Sequence, residues 1–307
     1  MILNRERWVI KIKAVDLFCG CGGMSLGFQN AGFDILAAYD NWDAVVNIYK
    51  ENFTNPIYKV DLNNEDVLES ISEKQPEIII GGPPCQDFSI AGNRNMGERA
   101  NLTIRYAEII ASIKPNWFVM ENVYNIERMP VLPKAKEIIK AAGYGISTKV
   151  LDASRCGVPQ KRNRFFMIGH LNDEDGFLDV ILKKNLSQHH MTVYDYLGDS
   201  LNTEFYYMHP RSYNRRAVFS IHEPSATIRG VNRPIPAGYK RHHGDKADIS
   251  EGVRSLTTKE RSYIQTFPEN FIFEGSKTDI EQAIGNAVPV KLAEYVAHCI
   301  MEYQETR

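Results

Sequence analysis

The chain has 307 residues, 43% of them hydrophobic and 24% charged, enough for a large core plus a smaller second domain. No apolar run approaches the ~20 residues that span a membrane, and residues 1–8 carry no leader-like stretch, so a cytoplasmic protein without a membrane partner is expected. Five scattered cysteines without a CxxC pair exclude a disulfide framework and a structural zinc, and no metal is expected. The net charge of −2 hides a local excess. Between His209 and His243 stand Arg211, Arg215, Arg216, Arg229, Arg233, Lys240 and Arg241 against the single acid Glu223. Such a stripe fits either a phosphate-contacting surface or a solvated loop face.

Ala14-Val15-Asp16-Leu17-Phe18 reads as a first strand. It runs into Cys19-Gly20-Cys21-Gly22-Gly23 and an amphipathic helix over 24–30, the opening of a nucleotide-binding βαβ unit. The third glycine of the dinucleotide fingerprint is missing, because Ser25 stands there, which suits S-adenosylmethionine better than a pyrophosphate. A glycine turn that merely packs a helix on a strand gives the same pattern. A second strand over 35–39 ends in Asp40, placed to hold a ribose or to cap the helix predicted over 43–52, and Trp42 offers an apolar face to adenine. The strand over 57–60 ends in Asp61, an acceptor for an adenine amino group or the start of an Asx turn.

Glu77-Ile78-Ile79-Ile80 reads as a buried parallel strand, and Gly81-Gly82-Pro83-Pro84-Cys85-Gln86 follows it. Two glycines allow a tight turn and two prolines stiffen it, so Cys85 is presented at the carboxyl end of a strand, where open α/β sheets bind ligands. Residues 91–101 resemble a flap, a helix is predicted over 102–113, and the buried strand over 117–120 leads into Glu121-Asn122-Val123. A carboxylate at such a strand end calls for a partner or a task. A helix around 134–142 precedes a hairpin-like pair over 146–151 and 164–168. In the connection, Arg162 and Arg164 share a face if the segment is extended. From 172 to 250 the strand–helix rhythm dissolves into a polar, aromatic and His-rich stretch. Helices then return near 258–267 and 290–302, the last entered through Gly285-Asn286-Ala287-Val288-Pro289.

Taken together, these pieces resemble the DNA (cytosine-5) methyltransferase family, in the family's own order. They are Asp16 to Gly23, Gly82-Pro83-Pro84-Cys85-Gln86, Glu121-Asn122-Val123, Gln160-Lys161-Arg162-Asn163-Arg164, Arg254-Ser255-Leu256-Thr257 through Gln265-Thr266-Phe267-Pro268, and Gly285 to Pro289. Cys19 stands where the family has Ala or Ser, and Arg99-Ala100-Asn101-Leu102 departs from its Arg-Gly before Leu. The resemblance implies a Rossmann-like α/β catalytic sheet over 1–171, an irregular β-rich target-recognition domain over 172–271, and a C-terminal segment over 272–307 that returns to the first.

It also implies the chemistry. Cys85 adds to cytosine C6 so that C5 attacks the sulfonium methyl of S-adenosylmethionine, helped by Glu121 at N3, Arg164 at O2 and Arg162 supporting the loop. The target base is flipped out of the duplex. Phe18, Gly20, Gly22, Gly23, Asp40, Trp42, Asp61, Pro83, Leu102, Asn286 and Val288 are expected around the cofactor. Gln86, Ser89 and Arg99 on the flap, and Thr227, Arg229, Arg233 and Arg241 in the central segment, are expected on DNA. The compact layout implies a bacterial or phage monomer, possessing a separate partner nuclease in a restriction–modification pair. A tRNA cytosine-5 methyltransferase is the nearest alternative, but its Cys-Phe-Thr element has no counterpart, since no cysteine lies between Cys156 and Cys299. A non-catalytic DNA-binding paralogue is disfavoured by the intact Cys85, Glu121, Arg162 and Arg164.

Overall fold

The computed structural model describes residues 11–84, 102–212, 214–250 and 252–307. Its first half alternates strands and helices: β1 (Lys13–Leu17), α1 (Gly23–Asn30), β2 (Asp34–Asp40), α2 (Asp43–Asn52), β3 (Ile57–Lys59), α3 (Val67–Ser72), β4 (Ile78–Gly81), α4 (Leu102–Ile113), β5 (Trp117–Val123) and α5 (Val131–Ala141). The long strands β6 (Tyr144–Asp152) and β7 (Asn163–Leu171) complete one seven-stranded sheet in the order β3-β2-β1-β4-β5-β7-β6. β1 to β5 are parallel, while β7 runs antiparallel between β5 and β6.

The side-chain period of two builds both faces of this sheet at once. Ile78, Ile80, Trp117, Val119, Phe166 and Ile168 face a core shared with Met24 and Phe28 of α1. Their neighbours Ile79, Phe118, Met120, Phe165 and Met167 face the opposite core, with Tyr106, Ile109 and Ile139 of α4 and α5. Burying each such side chain contributes about 1.5–3 kcal/mol, which is why Ile78-Ile79-Ile80 belongs at the centre of a covered sheet. The strand order reverses between β1 and β4, so the crevice for a ligand opens at the carboxyl ends of these two strands.

Past β7, α6 (Asp179–Lys184) still belongs to this body, because Leu178, Ile181 and Leu182 join its first core. A different core begins at Val193, twenty-one residues beyond the expected boundary at 172. It includes α7 (Val193–Leu197), β8 (Phe205–Tyr207) and β9 (Val218–Ser220), and is closed by β10 (Arg254–Ser255), α8 (Thr258–Ile264) and α9 (Lys277–Asn286). Among the described residues three short strands pair here, in the order β10-β8-β9. Much of the rest is held by side chains instead of ladders. The buried Asp245 accepts from the backbone of Ala217 at 2.8 Å, Val218 at 3.0 Å and His242 at 2.8 Å, and from the Tyr239 hydroxyl at 2.5 Å. α10 (Val290–Glu305) then returns to the first body and packs Leu292, Ala293 and Val296 against α1.

Candidate active site

Four strand ends converge on a crevice of about 490 Å3, lined by Asp16, Phe18, Gly20, Asp40, Trp42, Gly82, Pro83, Glu121, Arg164, Asn286 and Val288 among others. The turn after β1 is held open by backbone geometry. Phe18 and Gly20 take positive φ values of 58° and 55°, and a Cβ on Gly20 would meet nothing within 4 Å, so this part of the turn faces free space. Gly23 does another job: a Cβ there would stand 2.2 Å from the carbonyl oxygen of Val288, so this glycine lets the C-terminal motif lie against the first turn. Gly22 and Gly23 are not among the crevice lining and serve packing.

Asp40 does two things. It lines the crevice, and its two oxygens accept from the backbone N–H of Gly20 and of Trp42, each at 2.9 Å, which ties the first turn to the end of β2. Asp61 was expected as an adenine acceptor or the start of an Asx turn, and the structure forms the turn. It is exposed, absent from the lining, and its Oδ1 accepts from the backbone and side chain of Asn63 at 3.0 Å, the Asx turn that its neighbours in sequence favour. Leu102, at the start of α4, is also absent from the lining.

Asp16 was not singled out from the sequence. Its side chain is fully buried, Oδ2 accepts from the Ser25 hydroxyl at 2.6 Å, and Ser25 in turn accepts from Tyr49 at 2.9 Å. Oδ1 lacks a partner among the described residues, on a residue that lines the crevice. Burial pushes its pKa up to about 7 against the hydrogen bond from Ser25. A lone buried carboxylate oxygen invites a cationic or hydrogen-donating ligand group.

Glu121 closes the other side. It is 8% exposed, its Oε1 pairs with Arg164 Nε at 3.0 Å, and its Oε2 lies 3.3 Å from where a Cβ on Gly82 would stand. Burial raises the Glu121 pKa, opposed by the charges of Arg164 and Arg162. Asn122 beside it donates to the carbonyl of Pro83 at 2.9 Å, fixing the loop after β4 to the end of β5. Cys85, Gln86, Ser89 and Arg99 lie outside the described residues.

Arg162 and Arg164 part company, against the expectation of a shared face. Arg164 reaches the crevice, whereas Arg162 is 1% exposed and lines neither cavity. Its Nη1 donates to the carbonyl of Ile228 at 2.8 Å, and its Nη2 to those of Gly285 at 2.8 Å and Ala287 at 3.1 Å. Gln160 and Gln265 join this knot: Gln160 Nε2 donates to Gln265 Oε1 at 2.7 Å and Gln160 Oε1 accepts from Ile228 N at 2.9 Å. The knot holds the second body against the C-terminal motif.

The family pattern of the C-5 cytosine-specific DNA methylases matches residues 12–302. The chain belongs to that family. It is a DNA cytosine-5 methyltransferase, and the family implies S-adenosylmethionine as its methyl donor. The methylase is 56% identical over 297 residues to the Type II methyltransferase M.HindV of Haemophilus influenzae, covering 96% of this chain and 98% of that protein. It is 53% identical over 294 residues to M.HgiDI of Herpetosiphon aurantiacus, covering 95% of each. In fold it is similar to the S. pombe Dnmt2 methyltransferase, with a TM-score of 0.71 at 17% identity over 95% of this chain and 99% of that one. The crevice of the methylase suits the methyl donor, since the open turn at Gly20 and the unpartnered Asp16 oxygen leave room for a zwitterionic ligand.

A second and larger cavity, about 910 Å3, runs from this crevice along the second body. Arg164 lines both cavities, and Tyr124, Tyr207, His209, Arg211, Arg215, Arg229 and His243 are among the others in the cleft. Thr227 lies in this cleft with its hydroxyl donating to the Lys161 carbonyl at 2.9 Å. Arg229 also lies there, with one Nη donating to the His209 carbonyl. Arg233 and Arg241 are exposed and not part of the lining, and Arg241 faces Asp248 at 3.8 Å. Among the described residues, no group of His, Cys, Asp and Glu is placed to hold a metal ion, and no helix is long and apolar enough to cross a membrane.

Proposed function

We propose that this methylase modifies one cytosine in a specific duplex sequence as the modification half of a restriction–modification pair, acting as a monomer beside a separate endonuclease. The relatives of 56% and 53% identity carry Type II methyltransferase names, which supports the pairing. A cytoplasmic enzyme without a metal is the corresponding reading. The division proposed is a catalytic body over 1–171 and 272–307 and a target-recognition domain over 172–271, with its core starting at Val193.

The pair of Glu121 and Arg164 at the crevice carries the mechanism. Cys85 is the nucleophile: its thiolate adds to C6 of the flipped cytosine, and the ring electrons move toward N3 and O2. The cysteines of the first turn are poor rivals, because burial pushes Cys21 up to about 12 and raises Cys19 as well. Glu121, with its pKa raised by burial, supplies the proton or hydrogen bond at N3. Arg164 steadies Glu121 and holds O2. Arg162 acts only through position, by holding the second body in place.

Bound in the crevice, S-adenosylmethionine supplies an electrophilic methyl to C5 once the ring is activated. Phe18, Gly20, Asp40, Trp42, Pro83, Asn286 and Val288 would hold it, with Asp16 facing its ammonium group. The C5 proton then leaves to a base and Cys85 is eliminated. Gln86, Ser89 and Arg99 would cover the base, and Thr227, Arg229, Arg233 and Arg241 would meet DNA. Bisulfite sequencing of plasmid DNA from a host without cytosine methylation tests this reading. Protection of one short context by the wild type, and none by Cys85→Ser, is expected. Absence of protection by the wild type would sink it.

A further inference from the structure

The cleft beside the active site holds more guanidinium groups than the protein neutralises, and most of them are already engaged. Arg164 is on Glu121, and Arg216 clamps Glu223 through two bonds of 2.9 and 2.8 Å while lying 4.4 Å over the Phe219 ring. Arg261 is paired with the buried Glu281, and Arg229 is fastened to the His209 carbonyl. Arg211 and Arg215 differ. Both line the cleft, both are exposed, and neither guanidinium makes a hydrogen bond or ion pair among the described residues.

They are also close to a third cation. After burial, the charges of Arg211 and Arg215 are what lower the pKa of Arg229. Three guanidiniums therefore converge on one stretch of wall, and Glu223, the acid of this region, is already held by Arg216. The fold leaves this excess for an outside acceptor. Resting on the assignment of the cleft to DNA, we infer that Arg211 and Arg215 are sequence-reading residues, each donating its fork to the O6 and N7 acceptors of a guanine in the major groove.

Two features favour base edges over phosphates. The cleft that the pair lines exposes apolar surface from Tyr207, Met208 and Pro210 among its polar groups, which suits a planar group sliding beside stacked bases better than a hydrated phosphate. The cleft also merges with the catalytic crevice at Arg164, so the cavity that the pair lines is continuous with the site that receives the flipped base. The other basic residues fall into different classes: Arg216 and Arg261 are scaffold, and the exposed Arg233 and Arg241 lie off the lining, which leaves them to phosphates in this reading.

The test uses the full-length enzyme, the duplex context found by bisulfite sequencing, and the same duplex with 7-deazaguanine at each guanine in turn. With the wild type, 7-deazaguanine at two positions slows methylation. Arg211→Lys and Arg215→Lys, which keep the charge and lose the fork, slow methylation of the unmodified duplex by about 5- to 150-fold, the discrimination that a bidentate pair provides. Each variant becomes insensitive to 7-deazaguanine at one of the two positions. Binding of S-adenosylmethionine, unchanged in both, reports that they are folded. Three results would overturn the inference. The wild type is indifferent to 7-deazaguanine everywhere, or lysine restores the wild-type rate. Alternatively, Arg211→Ala and Arg215→Ala weaken binding to all sequences alike and reduce the salt slope by about one, the mark of phosphate contacts.

Discussion

Asn122 Nδ2 donates to the carbonyl oxygen of Pro83 at 2.9 Å, and Asn122 Oδ1 accepts from the backbone N–H of Val123 at the same distance. One buried amide thus ties the end of β5 to the loop that leads into Cys85. Removing it leaves the Pro83 carbonyl without its donor in a buried setting, at a cost of about 1–3 kcal/mol. The larger effect is on placement, because a displacement on the order of 1 Å costs a reaction ~10²-fold. Asn122→Ala is expected to lower kcat by about that factor while S-adenosylmethionine binding changes little, as single-turnover kinetics and calorimetry would show. A kcat within twofold of wild type would remove this positioning role.

Glu121→Gln separates proton supply from packing. The amide keeps the volume and still accepts from Arg164, but it has no acidic proton. A fall of about 10²–10⁴-fold in kcat is expected, the range for a general acid. The pH profile is the second readout. Burial raises the Glu121 pKa, so the protonated form persists to higher pH than for an exposed glutamate, and activity should decline on the alkaline side as that proton is lost. Loss of this alkaline limb in Glu121→Gln is the expected result; an unaltered limb would assign it to another group.

Much of this site could be read from the residues, and where reading stopped has physical reasons. Ile78-Ile79-Ile80 followed by Gly-Gly-Pro-Pro marks a covered strand and a stiff loop because both depend on local chemistry alone. Arg162 and Arg164 share one motif yet diverge, since the partners that decide their fates lie far along the chain, at Gly285 and Ala287 for one and at Glu121 for the other. Asp61 offered two readings, and the local one, the Asx turn, is visible in the fold because Asn63 stands two residues on. Asp16 stood in plain view in the first motif, but an unpartnered oxygen is a property of three-dimensional surroundings. α9, with Ile284 packed on the small sheet, had no signal separable from its polar neighbours.

Arg162 gives a prediction of stability rather than chemistry. Its guanidinium satisfies three buried carbonyls from two distant segments. Arg162→Ala orphans the carbonyls of Ile228 and Gly285, leaves Ala287 with Gln265 alone, and opens a cavity, so a loss of about 3–5 kcal/mol is expected from denaturant unfolding, with a shallower transition if the two bodies separate. Arg162→Lys recovers only part of this, because an ammonium cannot span the same fork of acceptors. By contrast, Arg164→Lys is expected to leave stability nearly intact and to reduce kcat. Equal effects of both lysine variants on kcat and none on stability would contradict the division of labour between them.

Asp16 makes stability depend on pH, and the sign follows from its environment. Its pKa is pushed up to about 7 in the fold, against an ordinary carboxyl value near 4 in the unfolded chain. Between these values the folded state binds more protons, so the protonated acid is accommodated at low pH and stability is lost as pH rises toward and through about 7. At about 1.4 kcal/mol per unit, the full difference is on the order of 4 kcal/mol, an upper figure for one buried group. Asp16→Asn removes the titration while keeping an acceptor for Ser25. It should match the wild type near pH 4 and become the more stable of the two above pH 7, in the absence of ligand. S-adenosylmethionine reverses the ranking if its ammonium meets the free Oδ1, because ionised Asp16 then gains a partner. Its affinity for the wild type should strengthen as pH rises from 6 to 8, and that dependence should vanish in Asp16→Asn. Melting curves and calorimetry across this range check both halves, and parallel stability profiles for the two proteins would mean that Asp16 is already ionised when the crevice is free.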